Sequence, residues 1–271
     1  MGNDNMLKKL AATCVSALVL CAATAANADD EKPVWHGPFG GTFSASLTGA
    51  TDYSYRGISQ TQRQIAVQPS LTYETAAVTS DNASAWAYAG AWGSNVIFPG
   101  TGAFAEVDLI AGVRGKTLSD KLTFDLGYIR YNYLGADANL QLGFNELGVV
   151  VGYDFGPVAL SGAVRYSPNF YANSGNAWYK WAQVVVPLPF IKINENVSFK
   201  LFGTIGNQSV ERYLNYGIPS DNYWDWQLGA TATVYGFDLT LAYIDTNIDV
   251  AGCLNTYNCE GRVVFSLSKT F

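Results

Sequence analysis

The sequence predicts an all-β protein: a closed antiparallel transmembrane β-barrel of about 12 strands, running from residue 41 to residue 271. Three observations point there. Segments of ten or so residues alternate apolar and polar side chains, with turn residues between them. Charged residues make up 14% of the chain, where about 25% is usual in a soluble domain, and aromatics also reach 14%. No apolar run approaches the roughly 18 residues that a spanning helix needs, so a membrane crossing would have to use strands.

Residues 1–28 read as an export signal. Lys8 and Lys9 supply a positive start, 10–23 a short apolar core, and Ala26-Asn27-Ala28 a small-x-small cleavage site. A membrane helix is the competing reading, but the run is too short to span and Asp29-Asp30-Glu31 follow at once. Cys21 lacks the preceding small residue of a lipoprotein signal. Removing the signal leaves 271 − 28 = 243 residues, of which 29–40 are a periplasmic leader and 41–271 the barrel. Asp4, Lys8 and Lys9 leave with the signal, so 21 acids face 14 bases, a net charge of −7 that argues against nucleic acid as a partner.

Twelve strands follow in order: 43–55, 65–75, 85–95, 104–115, 122–133, 144–155, 158–168, 178–188, 197–206, 223–235, 237–246 and 260–271. An even number returns both ends to the periplasmic side. In the first strand Phe43, Ala45, Leu47, Tyr53 and Tyr55 face out, while Ser44, Ser46, Thr48, Asp52 and Ser54 face in. Gly156-Pro157, Gly236 and 115–120 are short turns at one end, and 96–103, 134–143, 207–222 and 247–259 are longer loops at the other. Tyr53, Tyr55, Trp92, Tyr131, Tyr133, Tyr166, Trp178, Trp224, Trp226 and Tyr243 lie near the loop ends, and Phe124, Phe155, Phe199, Phe237 and Phe271 near the turns. That spacing predicts two aromatic girdles at the membrane interfaces; a soluble sandwich would scatter its rings mid-strand. In the fifth strand Arg130 would face lipid, so either a bulge near Ile129 shifts the register or Arg130 sits among headgroups.

Cys253 and Cys259 are the only cysteines outside the signal. In an oxidising compartment they are expected to close a small loop as a disulfide. A metal site is the alternative, but no histidine or third thiol lies near. No cofactor or metal is expected.

Several stretches, spread over most of 41–190, resemble the TorF family of porins, a group of bacterial exported proteins. They are Thr51-Asp-Tyr-Ser-Tyr-Arg-Gly-Ile-Ser-Gln60, Ala91-Trp-Gly-Ser-Asn95, Glu106-Val-Asp108, 125–133, Asn145-Glu146 and Arg165-Tyr-Ser-Pro168. The pattern fades after about residue 206. The resemblance implies an outer-membrane barrel of a Gram-negative bacterium and carries no catalytic or ligand residues.

The expected lumen face carries the acids Asp52, Glu74, Glu106, Asp108, Asp125, Glu146, Asp154, Asp225, Asp238 and Glu260 against the bases Arg56, Arg114, Arg165, Lys200 and Arg262. Such charges must be paired or hydrated, because an isolated desolvated charge is very costly. Either they line a water-filled pore, or they cross-brace a plugged barrel. Twelve strands fall between the filled interior of eight and the channel of sixteen. A passive channel for small hydrophilic solutes or ions, with a weak cation preference, is therefore expected. Arg56, Arg114 and Arg165 gathered at one constriction would reverse that preference. The alternative is a non-conducting structural or adhesive barrel displaying loops 207–222 and 247–259. An enzyme ranks third. The only histidine, His36, precedes the barrel, and Glu106 with Asp108 as a glycosidase-like pair reads better as two pore-lining acids. The expected partners are outer-membrane lipid and the insertion machinery, which would read the strand ending in Phe271.

Overall fold

The computed structural model describes residues 35–271, so the expected signal and the start of the leader lie outside the described residues. Twelve strands close one antiparallel barrel. They are β1 Thr42–Ala50, β2 Ala66–Glu74, β3 Ala83–Asn95, β4 Ala105–Thr117, β5 Leu122–Leu134 and β6 Phe144–Asp154, then β7 Ala159–Ser167, β8 Ala177–Pro187, β9 Val197–Val210, β10 Asn222–Val234, β11 Phe237–Thr246 and β12 Arg262–Thr270. Each pairs with its neighbours in sequence, and β12 returns to β1 from Ser266↔Ala50 to Thr270↔Ser46. Closure removes the edge, the row of unpaired N–H and C=O groups that an open sheet must hide. Phe271 extends the joint, donating its N–H to the Ala45 carbonyl at 2.8 Å.

Alternation fixes the two faces. In β4 the side chains of Glu106, Asp108 and Ile110 are buried inside, while Leu109 and Val113 stand outside, 53% and 43% exposed. Leu47, Leu126, Val149, Leu228, Leu241 and Phe265 continue that outer apolar surface on other strands. The exterior is thus greasy where a soluble protein would be polar.

Connections at one end are mostly shorter, although 188–196 there runs to nine residues. Tyr235-Gly236 joins β10 to β11 in two residues, both at positive φ (49° and 77°), the type I′ geometry that matches strand twist. Residues 118–121 and 155–158 are the other short turns of that end. The opposite end carries 51–65, 96–104, 135–143, 168–176, 211–221 and 247–261. At the turn end, 75–82 is lengthened by a short strand, Val78–Ser80, paired back on β3. The described part of the leader folds onto the same end: Trp35–His36 pairs with Phe43 and Thr42, and the Tyr73 hydroxyl donates to the Pro38 carbonyl. His36 is exposed there.

Two expectations need correction, and one pair of alternatives is decided. β1 stops at Ala50, not 55, and β9 continues to Val210, not 206. Of the ten aromatics expected in the loop-end girdle, Tyr53, Tyr55, Trp92, Tyr131 and Tyr133 point inward, where they are buried or packed against the core. Tyr166, Trp178, Trp224, Trp226 and Tyr243 remain on the outer face. Alternation alone could not separate the two sets, because a ring satisfies an inner core as readily as an interface. Arg130 needs no bulge. β4 and β5 pair without interruption from Ala105↔Leu134 to Thr117↔Leu122, so it does face out. Near the loop end, its guanidinium meets Asn132 at 3.1 Å and Asn145 at 3.4 Å.

Candidate functional site

Residues 51–65, the connection from β1 to β2, turn into the lumen. Ser54–Tyr55 and Ile58–Ser59 pair as a small hairpin around Arg56-Gly57. Both turn residues have positive φ, 49° and 83°, again the two-residue I′ form that favours glycine at its second position. Gly57 is also needed for space: a Cβ there would stand 2.4 Å from Thr246 Cγ2 and 2.8 Å from Asp225 Cβ. Tyr53, Tyr55, Arg56, Ser59 and Thr61 are all buried.

Arg56 is the hub. Its Nη2 lies 2.6 Å from both Glu146 carboxylate oxygens, and its Nη1 donates to Gln208 Oε1. Glu146 belongs to β6 and Gln208 to β9, so one guanidinium ties the hairpin to two strands of the wall. The rings of Tyr179 and Tyr55 stack on it at 4.2 and 4.6 Å, and the Tyr131 hydroxyl donates to Glu146 at 3.0 Å. A charge can be held here because it is paired, hydrogen-bonded and faced by π-electrons.

Arg262 of β12 is the second anchor. Its Nε donates to Asp52 at 2.5 Å and its Nη1 to the Gly57 carbonyl at 2.8 Å. Asp52 also accepts from the hydroxyls of Ser59 (2.6 Å) and Thr61 (2.8 Å). The third anchor is the connection 247–261, closed on itself by the Cys253–Cys259 disulfide. Its Asn258 carbonyl accepts the Ser59 N–H at 2.9 Å, and the carbonyls of Tyr257 and Glu260 accept from Arg63.

The Tyr53 hydroxyl reaches Glu106 on β4 at 2.9 Å. Asp108, two residues on, is 0% exposed and lies beside the Glu106 carboxyl group. Asp225 accepts from the Tyr179 hydroxyl at 3.1 Å. Toward the loops, rings fill the space: Tyr131 stacks on Phe144 at 4.1 Å, Phe144 meets Phe170 at 4.5 Å, and Phe170 meets Tyr216 at 5.0 Å. Outside the barrel wall, Glu211 accepts from the Asn176 N–H (2.9 Å) and side-chain amide (2.7 Å). These bonds hold its carboxyl below the usual carboxylate range.

The turn-end half of the lumen is different. Short polar side chains pair across strands there: Ser46 with Ser70 at 2.7 Å, Thr48 with Ser268 at 2.8 Å, and Thr231 with Thr240 at 2.9 Å. Arg114 binds Glu74 at 2.6 Å and Asp125 at 2.8 Å in this half. Lys200 is half-buried on β9, and Asp154 caps the β6–β7 turn through the Gly156 N–H at 2.7 Å.

Of the expected lumen residues, Asp52, Arg56, Glu106, Asp108, Glu146, Arg165, Asp225 and Arg262 are buried in the loop-end half. Arg114, Asp154 and Lys200 belong to the other half. Sequence reasoning missed Gln208, Tyr179, Ser59 and Thr61. The signal for the hairpin was present in Tyr55-Arg-Gly-Ile58, a glycine-containing pair flanked by strand formers.

Residues 36–271 match the model of a family described as a bacterial protein of unknown function, Gcw_chp. No protein of curated function matches the sequence. Among solved structures, the chain is similar to LpxR from Salmonella typhimurium, with TM-score 0.45 and 11% identity over 84% of this chain and 99% of that one. It is also similar to the translocator domain of the autotransporter NalP from Neisseria meningitidis, with TM-score 0.45 and 15% identity over 85% and 87%. Salmonella typhi OmpF gives TM-score 0.43 and 8% identity over 85% and 97%. The overlaps are loose, and the barrel described above rests on its own strand pairing.

Proposed function

The chain belongs to the Gcw_chp family of bacterial proteins, to which no activity is assigned, and we propose that it is a porin-like barrel of the Gram-negative outer membrane. In this reading it passes small hydrophilic solutes or ions passively, through a lumen whose outer half is constricted by the hairpin of 51–65. The observation that carries the reading is the split between the two faces of each strand, apolar outside and polar or charged inside. The short-turn end, where both described termini lie, is then periplasmic, and the outward Tyr166, Trp178, Trp224, Trp226 and Tyr243 sit at the outer interface. The TorF-like stretches agree with a porin role. His36 lies outside the barrel wall, which disfavours an enzyme.

Charge supports a weak preference for cations. The constricted half buries five acids (Asp52, Glu106, Asp108, Glu146, Asp225) against three arginines (Arg56, Arg165, Arg262). A net negative, low-dielectric passage concentrates cations. Purified protein in a planar bilayer under a salt gradient tests both parts: small unitary currents with a cation-sided reversal potential are expected. Absence of current even after deletion of 53–62 would end the channel reading.

One observation favours a second reading. The rings of Tyr131, Phe144 and Phe170 and the hairpin form a packed core across the outer half, as a non-conducting structural barrel would need. Phe271, on the outer surface at the end of β12, suits a signal for insertion machinery. Its deletion should lower the yield of heat-modifiable folded protein, and unchanged insertion would refute that role.

A further inference from the structure

We propose that the disulfide-closed loop 253–259 is a latch that keeps the 51–65 hairpin in the lumen, and that the hairpin is a displaceable plug. The inference rests on the porin-like reading only for its electrical consequence.

The contacts on the hairpin fall into two kinds. Those of Arg56 with Glu146 and Gln208, and of Asp52 with Arg262, are side chain to side chain, between the hairpin and the barrel wall. Those with loop 247–261 are made to main-chain carbonyls of Tyr257, Asn258 and Glu260, which point at Arg63, Ser59 and Arg262. Three acceptors so close in sequence converge only if the loop holds one backbone conformation. The segment contains no regular helix or strand of its own. The disulfide restricts it instead, at a sequence separation of six residues. The Thr256 hydroxyl donates to the Cys253 carbonyl (2.7 Å) and the Thr246 hydroxyl to the Cys259 carbonyl (2.8 Å), so both ends of the bridge are fixed.

The hairpin itself has the make-up of a separate moving part. Its two strands pair only with each other, apart from the main sheet. Thr51 and Ala66 flank it at the ends of β1 and β2, so residues 52–64 can swing outward with every strand-to-strand pairing of the barrel intact, once their side-chain bonds to the wall are released. With the latch in place it is held on its solvent side as well as its lumen side. Without the latch, the wall contacts and the bond from the Ile97 N–H to the Gln60 carbonyl remain.

The experiment reads displacement separately from current. The Arg56–Gly57 bond is buried in the plugged state, so trypsin should cut it only when the hairpin leaves the lumen. Refolded protein in liposomes is treated with trypsin and cleavage after Arg56 is followed by mass spectrometry, with planar-bilayer recordings in parallel. For Cys253→Ser with Cys259→Ser we expect cleavage after Arg56 at least tenfold faster than in the unaltered chain, and a rise in open probability of similar size. Arg63→Ala, at an exposed position, removes two latch contacts without touching the cysteines and should shift both readouts in the same direction by a smaller factor. Unchanged cleavage in both variants, with heat-modifiable migration intact, overturns the latch. Faster cleavage with no rise in current sustains the latch and counts against the channel.

Discussion

Arg56 and Glu146 meet at 2.6 Å with their side chains 2% and 1% exposed, although they are 90 positions apart in sequence. One belongs to a hairpin and the other to the barrel wall, so the pair measures whether the hairpin is seated. Removing one partner of a buried pair strands the other charge, at a cost of about 3–5 kcal/mol. Glu146→Gln or Arg56→Ala should therefore lower the unfolding free energy read from urea titration by that order. Replacing both with Met should recover much of the loss. Equal losses in the single and double variants would show that the pair is not coupled.

Glu106 and Asp108 should set the selectivity of the passage. Glu106→Gln with Asp108→Asn keeps the side-chain shapes and removes two of the five acids of the constricted half. The reversal potential should move toward the unselective value by a measurable fraction, while the barrel still folds. A reversal potential that does not move would assign the selectivity elsewhere.

Acid should loosen the loop clasp at Glu211. Its carboxyl is held below the usual range by the Asn176 N–H and side-chain amide, so the charged form is the one the fold favours. A group with a depressed folded value contributes fully above its unfolded value, near pH 4.3 for a glutamate, and loses that contribution as pH falls through the folded value. Hydrogen exchange at residues 211–217 should quicken at the acid end only, and Glu211→Gln should abolish the pH dependence. Acid-independent exchange in the unaltered chain would reject the clasp.

The outer surface should distinguish depth. Leu228 lies at the middle of β10 and is 68% exposed, so Leu228→Arg should cost about 2–4 kcal/mol in a bilayer. Arg130→Leu should change stability by less than about 1 kcal/mol, because Arg130 sits near the interface beside Asn132 and Asn145. Similar costs for the two would mean that the belt is misplaced along the barrel axis.

Most of the barrel was legible because period-two alternation is a strong local signal. Glu106-Val-Asp-Leu109 or Val263-Val-Phe-Ser266 cannot be written on one face without sorting the other. Turns such as Tyr235-Gly236 confirmed the strand ends through backbone geometry. What alternation cannot say is where a strand leaves the sheet. Thr51 to Tyr55 keep the pattern of β1, yet their partners include Glu106 and Phe265, distant in sequence. The same limit hid Gln208 and Tyr179, whose roles come from which strand faces which across the lumen.

Asp52 and Arg262 are 210 residues apart, and β12, which carries Arg262, is also the strand that joins β1. The hairpin is therefore made early in the chain but receives one of its main anchors from a strand synthesised 210 residues later. Rings of such long sequence separation form slowly, since the entropy of loop closure is spent before the contacts reward it. Sealing of the cylinder and stoppering of its bore thus become a single late event. A nascent chain lacking residues 262–271 should expose the Arg56–Gly57 bond to trypsin throughout, so an assembling copy would stand protease-marked until β12 docks.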